Sequence, residues 1–301
     1  MTWQDFLNDI RNFVSNPLNP RLPVGEWVDA MIDWLTDNFK PFFDAIQFIL
    51  QGFYEGLFFI LSAPIYLIIL GVFVVLAFFV SGWRLALFTL IGFYLIRAFD
   101  QWENAMSTIA LVLVAVIIAL VVSIPLGILA AKFNAVSKVV KPILDLMQTM
   151  PALVYLIPAI TFLGIGQTPG AVATMIFALP PGVRLTELAI RQVDQEVVEA
   201  GHAFGSSPGS ILRQIQLPLA MPTIMAGVNQ VIMLSLSMVV LAGMAGSEGL
   251  GGAVVGSLSS LDIPLGVEAG LAVVIIAIFL DRLSASVGDR SPIYRARRAG
   301  A

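Results

Sequence analysis

The run AMSTIALVLVAVIIALVVSIPLGILAA, residues 105–131, contains no Asp, Glu, Lys or Arg over its 27 positions. About 20 apolar residues in a helix cross a hydrocarbon core of roughly 30 Å, so this run is long enough to span a bilayer. Working outward, six further stretches of low charge stand at about 57–80, 83–96, 143–163, 170–189, 222–245 and 265–280. The chain of 301 residues is 58% apolar and 12% charged, whereas a soluble domain carries about 25% charged residues. These observations predict an all-α polytopic membrane protein with about seven transmembrane helices. The stretch 83–96 is short, and 143–163 and 170–189 contain prolines, so their boundaries are the least defined.

Lys and Arg orient the spans, because basic residues beside short loops are retained on the cytoplasmic side. One alternating set of connections carries Arg84, then Lys132, Lys138 and Lys141, then Arg184, Arg191 and Arg213, then Arg282, Arg290, Arg295, Arg297 and Arg298. The opposite set carries Asp100 and Glu103 beside Arg97, the uncharged 166–169, then Glu248 and Asp262. The expected orientation is N-terminus outside and C-terminus inside. Residues 1–55 agree, with eight acids against Arg11, Arg21 and Lys40. The chain thus divides into a periplasmic or interfacial region (1–55), a transmembrane domain (56–285) with a long connection at about 190–218, and a basic tail (286–301).

In the first region Pro17, Pro20 and Pro23 predict an extended linker over 16–24. Trp27, Met31, Trp34 and Leu35 recur at helical spacing with Asp29, Asp33 and Asp37 between them, which predicts an amphipathic helix. It lies either on the outer membrane surface or against its own membrane domain. The N-terminus lacks the pattern of a cleaved signal peptide and is read as retained. The absence of cysteine excludes disulfides, thiolate catalysis and Cys-ligated metals. A formal charge of −4 provides no basic footprint for nucleic acid.

The segment VDQEVVEAGHAFGSSPGSILRQIQLPLAMP, residues 193–222, reads as a helical hairpin. Residues 195–204 lack proline and have helical apolar spacing. Gly205 stands where a helix end needs a left-handed residue. Ser207 then caps a second helix with Pro208 at its first position, predicted to end by Leu217 and Pro218. Two short helices on the side assigned to the cytoplasm make a knob suited to docking.

Glu199-Ala200-Gly201, three residues, Gly205, nine residues, then Ile215, Leu217 and Pro218 resemble the EAA loop of ABC importer permeases, E-A-A-x3-G-x9-I-x-L-P. The one departure is Gly201, where the pattern has alanine. The stretches 141–170, 176–186 and 216–240, with GLGG at 249–252 and FLDRL at 279–283, are similar to permeases of proline/glycine betaine importers. The resemblance implies the type I importer permease fold, a homodimer of permeases and a periplasmic substrate-binding protein. It also implies a separate ATPase subunit, carrying ATP and Mg, into whose cleft the loop inserts. By resemblance Glu199, Ala200, Gly201, Gly205, Ile215, Leu217 and Pro218 couple the two. The implied location is the bacterial inner membrane and the implied cargo a quaternary amine such as glycine betaine, with choline, proline betaine and trimethylamine N-oxide as the alternatives.

The residues accord with that division of labour. There is no Gly-Lys pair and hence no phosphate-binding loop of the P-loop kind, so no nucleotide cofactor is assigned to this chain and energy must come from a partner. Asp145, Glu187 and Glu268 are scattered near span ends and read as solvated or capping groups, and His202 as a helix surface residue. An ion-coupled carrier would need an intramembrane relay of ionisable groups, and an enzyme a nucleophile with its base. The sequence suggests neither. Gln148, Thr149, Tyr155, Thr161, Asn229, Gln230, Ser235 and Ser237 are candidates for a substrate path; hydrogen bonds between helices explain them equally well. Pro151, Pro158, Pro180 and Pro181 bend the helices that carry some of them. No aromatic cage is assigned to Tyr155, Phe162 or Phe177.

Overall fold

Runs of Leu, Val, Ile and Ala leave the backbone no aqueous partner in a bilayer, so every N–H must bond within its own segment, which a helix achieves. The computed structural model describes residues 23–289. In chain order its helices are α1 (Val24–Ser62), α2 (Tyr66–Ser81), α3 (Trp83–Ala98), α4 (Trp102–Lys132), α5 (Asn134–Thr149), α6 (Leu156–Leu163), α7 (Gln167–Arg191), α8 (Gln195–Ala203), α9 (Pro208–Ile211), α10 (Leu217–Ala242), α11 (Leu250–Ser260) and α12 (Ile263–Asp289). No strand occurs among the described residues. The linker expected at 16–24 and the basic tail lie largely outside them.

The run 105–131 becomes α4, the centre of the bundle, with Ala105, Ala110, Ala115 and Ala119 fully enclosed. Helix α7 packs along both α4 and α10. Lipid tails are as apolar as the helices, so association depends on close packing, which small residues permit. A Cβ on Gly182 would stand 2.5 Å from Ser123 Oγ, and one on Gly127 2.6 Å from Thr186 Cβ, so both glycines let backbones meet. Phe73, Phe93 and Phe279 tie α2, α3 and α12 together, with centroids 5.0–5.4 Å apart.

The charge alternation read from the sequence corresponds to two ends of the bundle. At one end Ile128 and Ala131 of α4, Ile190 at the end of α7 and Val193 just beyond it, and Ala220 and Ile224 of α10 form one cluster beside Lys132, Lys141 and Arg191. At the other end Tyr66 packs on Trp102 at 5.9 Å, Arg97 sits 5.6 Å over the Tyr66 ring, and Gly166 N–H donates to Ala245 C=O. Trp and Tyr at helix ends suit the membrane interface. We call these the basic end and the acidic end.

Two expectations are corrected. The span 57–80 is two pieces: α1 runs to Ser62, the chain turns at Ala63–Ile65 around Pro64, and α2 begins at Tyr66. Ala63 keeps helical angles and still donates to Phe59 C=O, but Pro64 lacks the N–H to continue the ladder and Ile65 is extended, which ends the helix. The span 143–163 is bent by 111° between α5 and the segment Ala152–Leu163, where Met150 and Pro151 are extended. The count of about seven spans is met only in part by length and composition. Among the described residues five helices are long and apolar enough to cross a membrane, or six if the bent pair is one span. Helices α2 and α3 have 16 residues each, about 24 Å at 1.5 Å per residue, and form a short hairpin.

Helix α1 crosses the boundary expected at residue 55 and kinks at Phe39, two residues before Pro41. Its second half packs on the acidic end: Phe43 stacks on Phe162 at 4.4 Å, and the Tyr54 hydroxyl shares a 2.8 Å hydrogen bond with Ser107 Oγ. The connection carrying Glu248 and Asp262, between the stretches 222–245 and 265–280, contains α11, whose Leu250 N–H donates to Thr108 Oγ1 at 2.9 Å.

Candidate functional site

The hairpin at the basic end forms as its residues dictate. Asp194 caps α8 by accepting from Glu196 N–H at 2.9 Å. At the far end Gly205 takes φ +77°, its N–H donates to His202 C=O at 2.9 Å, and Ser206 N–H donates to Gly201 C=O at 3.1 Å. This is the Schellman arrangement, which satisfies carbonyls left over at a helix end. Ser207 Oγ accepts from Ser210 N–H at 3.3 Å with Pro208 in the first turn of α9.

One expectation fails here. The second helix does not end at Leu217 and Pro218; a π turn, Leu212–Gln216, carries it directly into α10. Proline in an α-helix would lose a bond and clash with the carbonyl four residues back. The wider π turn shifts the ladder just before Pro218 and absorbs both problems.

The coupling residues divide into root and tip. Ile215 is half-buried against Gly201, and Leu217 packs in the cluster with Ile190, Val193 and Ile224; Pro218 is also half-buried. These hold the hairpin on the bundle. Glu199, Ala200, His202 and Gly205 are exposed. Gly201 is buried, and a Cβ there would stand 2.9 Å from Ile215 Cδ1, the far end of a flexible side chain, so the position packs closely but leaves room for the alanine of the EAA pattern once that chain rotates. The sequence reading missed Phe204, a side chain 91% exposed beside the turn glycine. An aromatic group held in water on a rigid turn suits an anchor for a partner's pocket.

Beside the hairpin root lies an ionic junction. Glu187, read from sequence as solvated or capping, is buried on α7; it accepts from Ser137 Oγ and Arg191 Nε at 2.8 Å each and pairs with Lys141 Nζ at 3.2 Å. Arg191 also donates to Ala130 C=O at 2.8 Å and Asn134 Oδ1 at 2.9 Å. Asp145, likewise expected to be solvated or capping, is exposed but pairs with Arg184. Buried charges persist only when paired and hydrogen-bonded, and this junction fastens α5 to α7, the helix that leads into the hairpin.

The substrate-path candidates are not brought together. Gln148 and Thr149 are exposed at the end of α5, where Thr149 Oγ1 donates to Leu146 C=O at 2.9 Å. Tyr155 is buried against Phe177, its hydroxyl donating to Met147 C=O. Thr161 and Ser237 are exposed and bond back to their own helices. Gln230 is exposed, and Ser235 is buried without a partner. Asn229 donates to Asp281 Oδ1 at 3.1 Å and accepts from Ser284 Oγ, an α10–α12 link that the sequence reading did not pair.

A capped helical hairpin on the basic end of an apolar bundle, with its tip residues exposed, is the geometry of a subunit-docking element. Residues 123–290 match the family of binding-protein-dependent transport system inner membrane components. The chain belongs to that family. It is 48% identical over 268 residues to the glycine betaine transport system permease protein OpuAB of Bacillus subtilis (strain 168), covering 89% of this chain and 95% of the relative. It is 47% identical over 281 residues to the glycine betaine/carnitine transport permease protein GbuB of Listeria monocytogenes serotype 1/2a (strain 10403S), covering 91% and 99%. The glycine betaine/proline betaine transport system permease protein ProW of Escherichia coli (strain K12) is 45% identical, covering 90% and 76%. Among solved structures, an inward-facing form of the MetNI methionine ABC transporter aligns with TM-score 0.57 at 22% identity, covering 65% of this chain and 95% of that chain. The chain is therefore an inner-membrane permease with the type I ABC importer fold, and its relatives are transport subunits rather than enzymes.

Proposed function

We propose that this permease carries glycine betaine or a closely related methylated solute into the cell as one subunit of an ATP-driven importer. Two copies pair, a separate ATPase that binds ATP and Mg docks on the hairpin at the basic end, and a periplasmic binding protein delivers the solute to the acidic end. In this reading the basic end faces the cytoplasm, with the start of α1 and α11 outside. The observation that carries it is the hairpin itself: an EAA-type turn with Phe204 and Glu199 exposed, in a chain 45–48% identical to glycine betaine permeases.

The geometry supplies a route for coupling. A push on the hairpin tip is transmitted through Val193 and Leu217 to the ends of α7 and α10. Glu187, on α7, is bonded to Ser137 and Lys141 of α5, so α5 and the bend at Pro151 are drawn along. The test is co-purification of the cognate ATPase with the permease and with Phe204→Asp, which places a charge on the proposed anchor. Wild-type retention with loss of the ATPase in the variant supports the reading; equal retention in both removes the tip from the docking surface.

A further inference from the structure

At the acidic end a cavity of about 370 Å³ opens between α1, the turn from α6 to α7 and the turn from α10 to α11, within the range of small-molecule sites. Gln51, Tyr54, Glu55 and Phe58 lie on one face of α1 at helical spacing and form its first wall; Gln167 and Glu248 stand opposite. The second wall is tied: Gly166 N–H donates to Ala245 C=O at 3.1 Å, and Ser247 Oγ donates to Gly166 C=O at 3.0 Å.

Three features of the lining select one kind of occupant. Two carboxylates, Glu55 and Glu248, stand exposed at the mouth, Glu248 makes no ion pair among the described residues, and no Lys, Arg or His lines the cavity. Tyr54 and Phe58 both line the cavity and stack in parallel with centroids 5.9 Å apart, Tyr54 buried with its hydroxyl engaged by Ser107. Aromatic faces beside carboxylates attract a cation that has no N–H to donate. Finally, both amide atoms of Gln167 are shielded from solvent without a hydrogen-bond partner, a condition that shielded polar groups in proteins rarely leave unmet. Turned toward the cavity that Gln167 lines, its N–H donors suit a carboxylate.

We propose that this cavity is a solute-binding antechamber of the permease, holding a zwitterion with its methylated ammonium between Glu55, Glu248 and the Tyr54–Phe58 pair and its carboxylate on Gln167. It rests on the importer reading, since it lies on the end proposed to receive solute.

The test uses the permease–ATPase assembly in nanodiscs without binding protein, with saturation-transfer NMR on three probes: glycine betaine, tetramethylammonium, and 3,3-dimethylbutanoate, which has the betaine shape without the positive charge. The methyl groups of the first two are expected to receive saturation and those of the third not. Glu248→Gln and Glu55→Gln are expected to weaken both cations by about three- to fivefold each, the range for a partly exposed charge interaction. Gln167→Leu is expected to weaken glycine betaine more than tetramethylammonium, a distinction that a misfolded variant would not produce. Binding unchanged in the carboxylate variants, or equal binding of 3,3-dimethylbutanoate, overturns the proposal. So does a Glu248→Gln defect seen only in stimulation by binding protein. The tetramethylammonium arm decides the cavity even if the wild-type assembly takes up no methylated amine, an outcome that would sink the functional reading alone.

Discussion

Gly201 is the point at which the hairpin is most tightly packed, and substituting it separates two opposing effects. Alanine there removes the helix penalty of glycine, a gain of about 1 kcal/mol. Its Cβ would meet Ile215 Cδ1 at 2.9 Å and Ile211 Cγ1 at 3.3 Å. The first contact is with the far end of a flexible side chain, which can rotate aside for about 0.5–1 kcal/mol. Gly201→Ala should therefore be neutral within about 0.5 kcal/mol. Leucine adds three more carbons to a space already occupied by Ile211, which is 2% exposed, and overpacking of this kind costs about 1–3 kcal/mol. After the propensity gain, Gly201→Leu should shift the hairpin by up to about 2 kcal/mol toward forms with α9 displaced, up to about thirtyfold in population. The assay is ATPase retained on affinity-purified permease, with elution profile as the folding control. Full retention in Gly201→Leu, or loss in Gly201→Ala, would refute the packing account of this position.

Three further outcomes are expected. Since Gly205 has φ +77° and no atom within 4 Å of a built Cβ, Gly205→Val should cost only the backbone term of about 1–2 kcal/mol; the permease should insert normally while uptake in proteoliposomes falls sharply, and Glu199→Ala should act in the same direction more mildly. Glu187→Gln should lower the thermal midpoint in detergent: loss of a buried partner costs about 3–5 kcal/mol, but Lys141 and Arg191 are 55% and 37% exposed and can rehydrate, which leaves about 1–2 kcal/mol; an unchanged midpoint would remove the junction from the stability account. For orientation, an impermeant maleimide on spheroplasts should label Ser260→Cys and not Gln195→Cys, and the reverse pattern would invert the proposed topology.

The parts of this architecture legible in the sequence are those set by local chemistry. The charge-free run at 105–131 and the alternation of basic and acidic connections gave the bundle and its two ends. Gly205, Ser207 and Pro208 gave the hairpin turn, because left-handed backbone, capping oxygen and fixed φ are each properties of a single residue. What was not legible depends on neighbours distant in the chain. Glu187 near a span end reads as solvated until Lys141 and Ser137 are seen to fold back onto it. Hydropathy runs straight through Ala63–Ile65 because proline interrupts the backbone without adding charge. The π turn before Pro218 has no composition of its own; it follows from the need to continue a helix through a proline.

The most direct test of the central claim is accumulation of labelled glycine betaine in proteoliposomes assembled from this permease, its ATPase and its binding protein. The account predicts uptake that requires all three components and ATP on the hairpin side, and that is lost when Gly205→Val replaces the wild-type chain. Accumulation by the permease alone under an ion gradient, or undiminished uptake with the Gly205→Val chain, would contradict it.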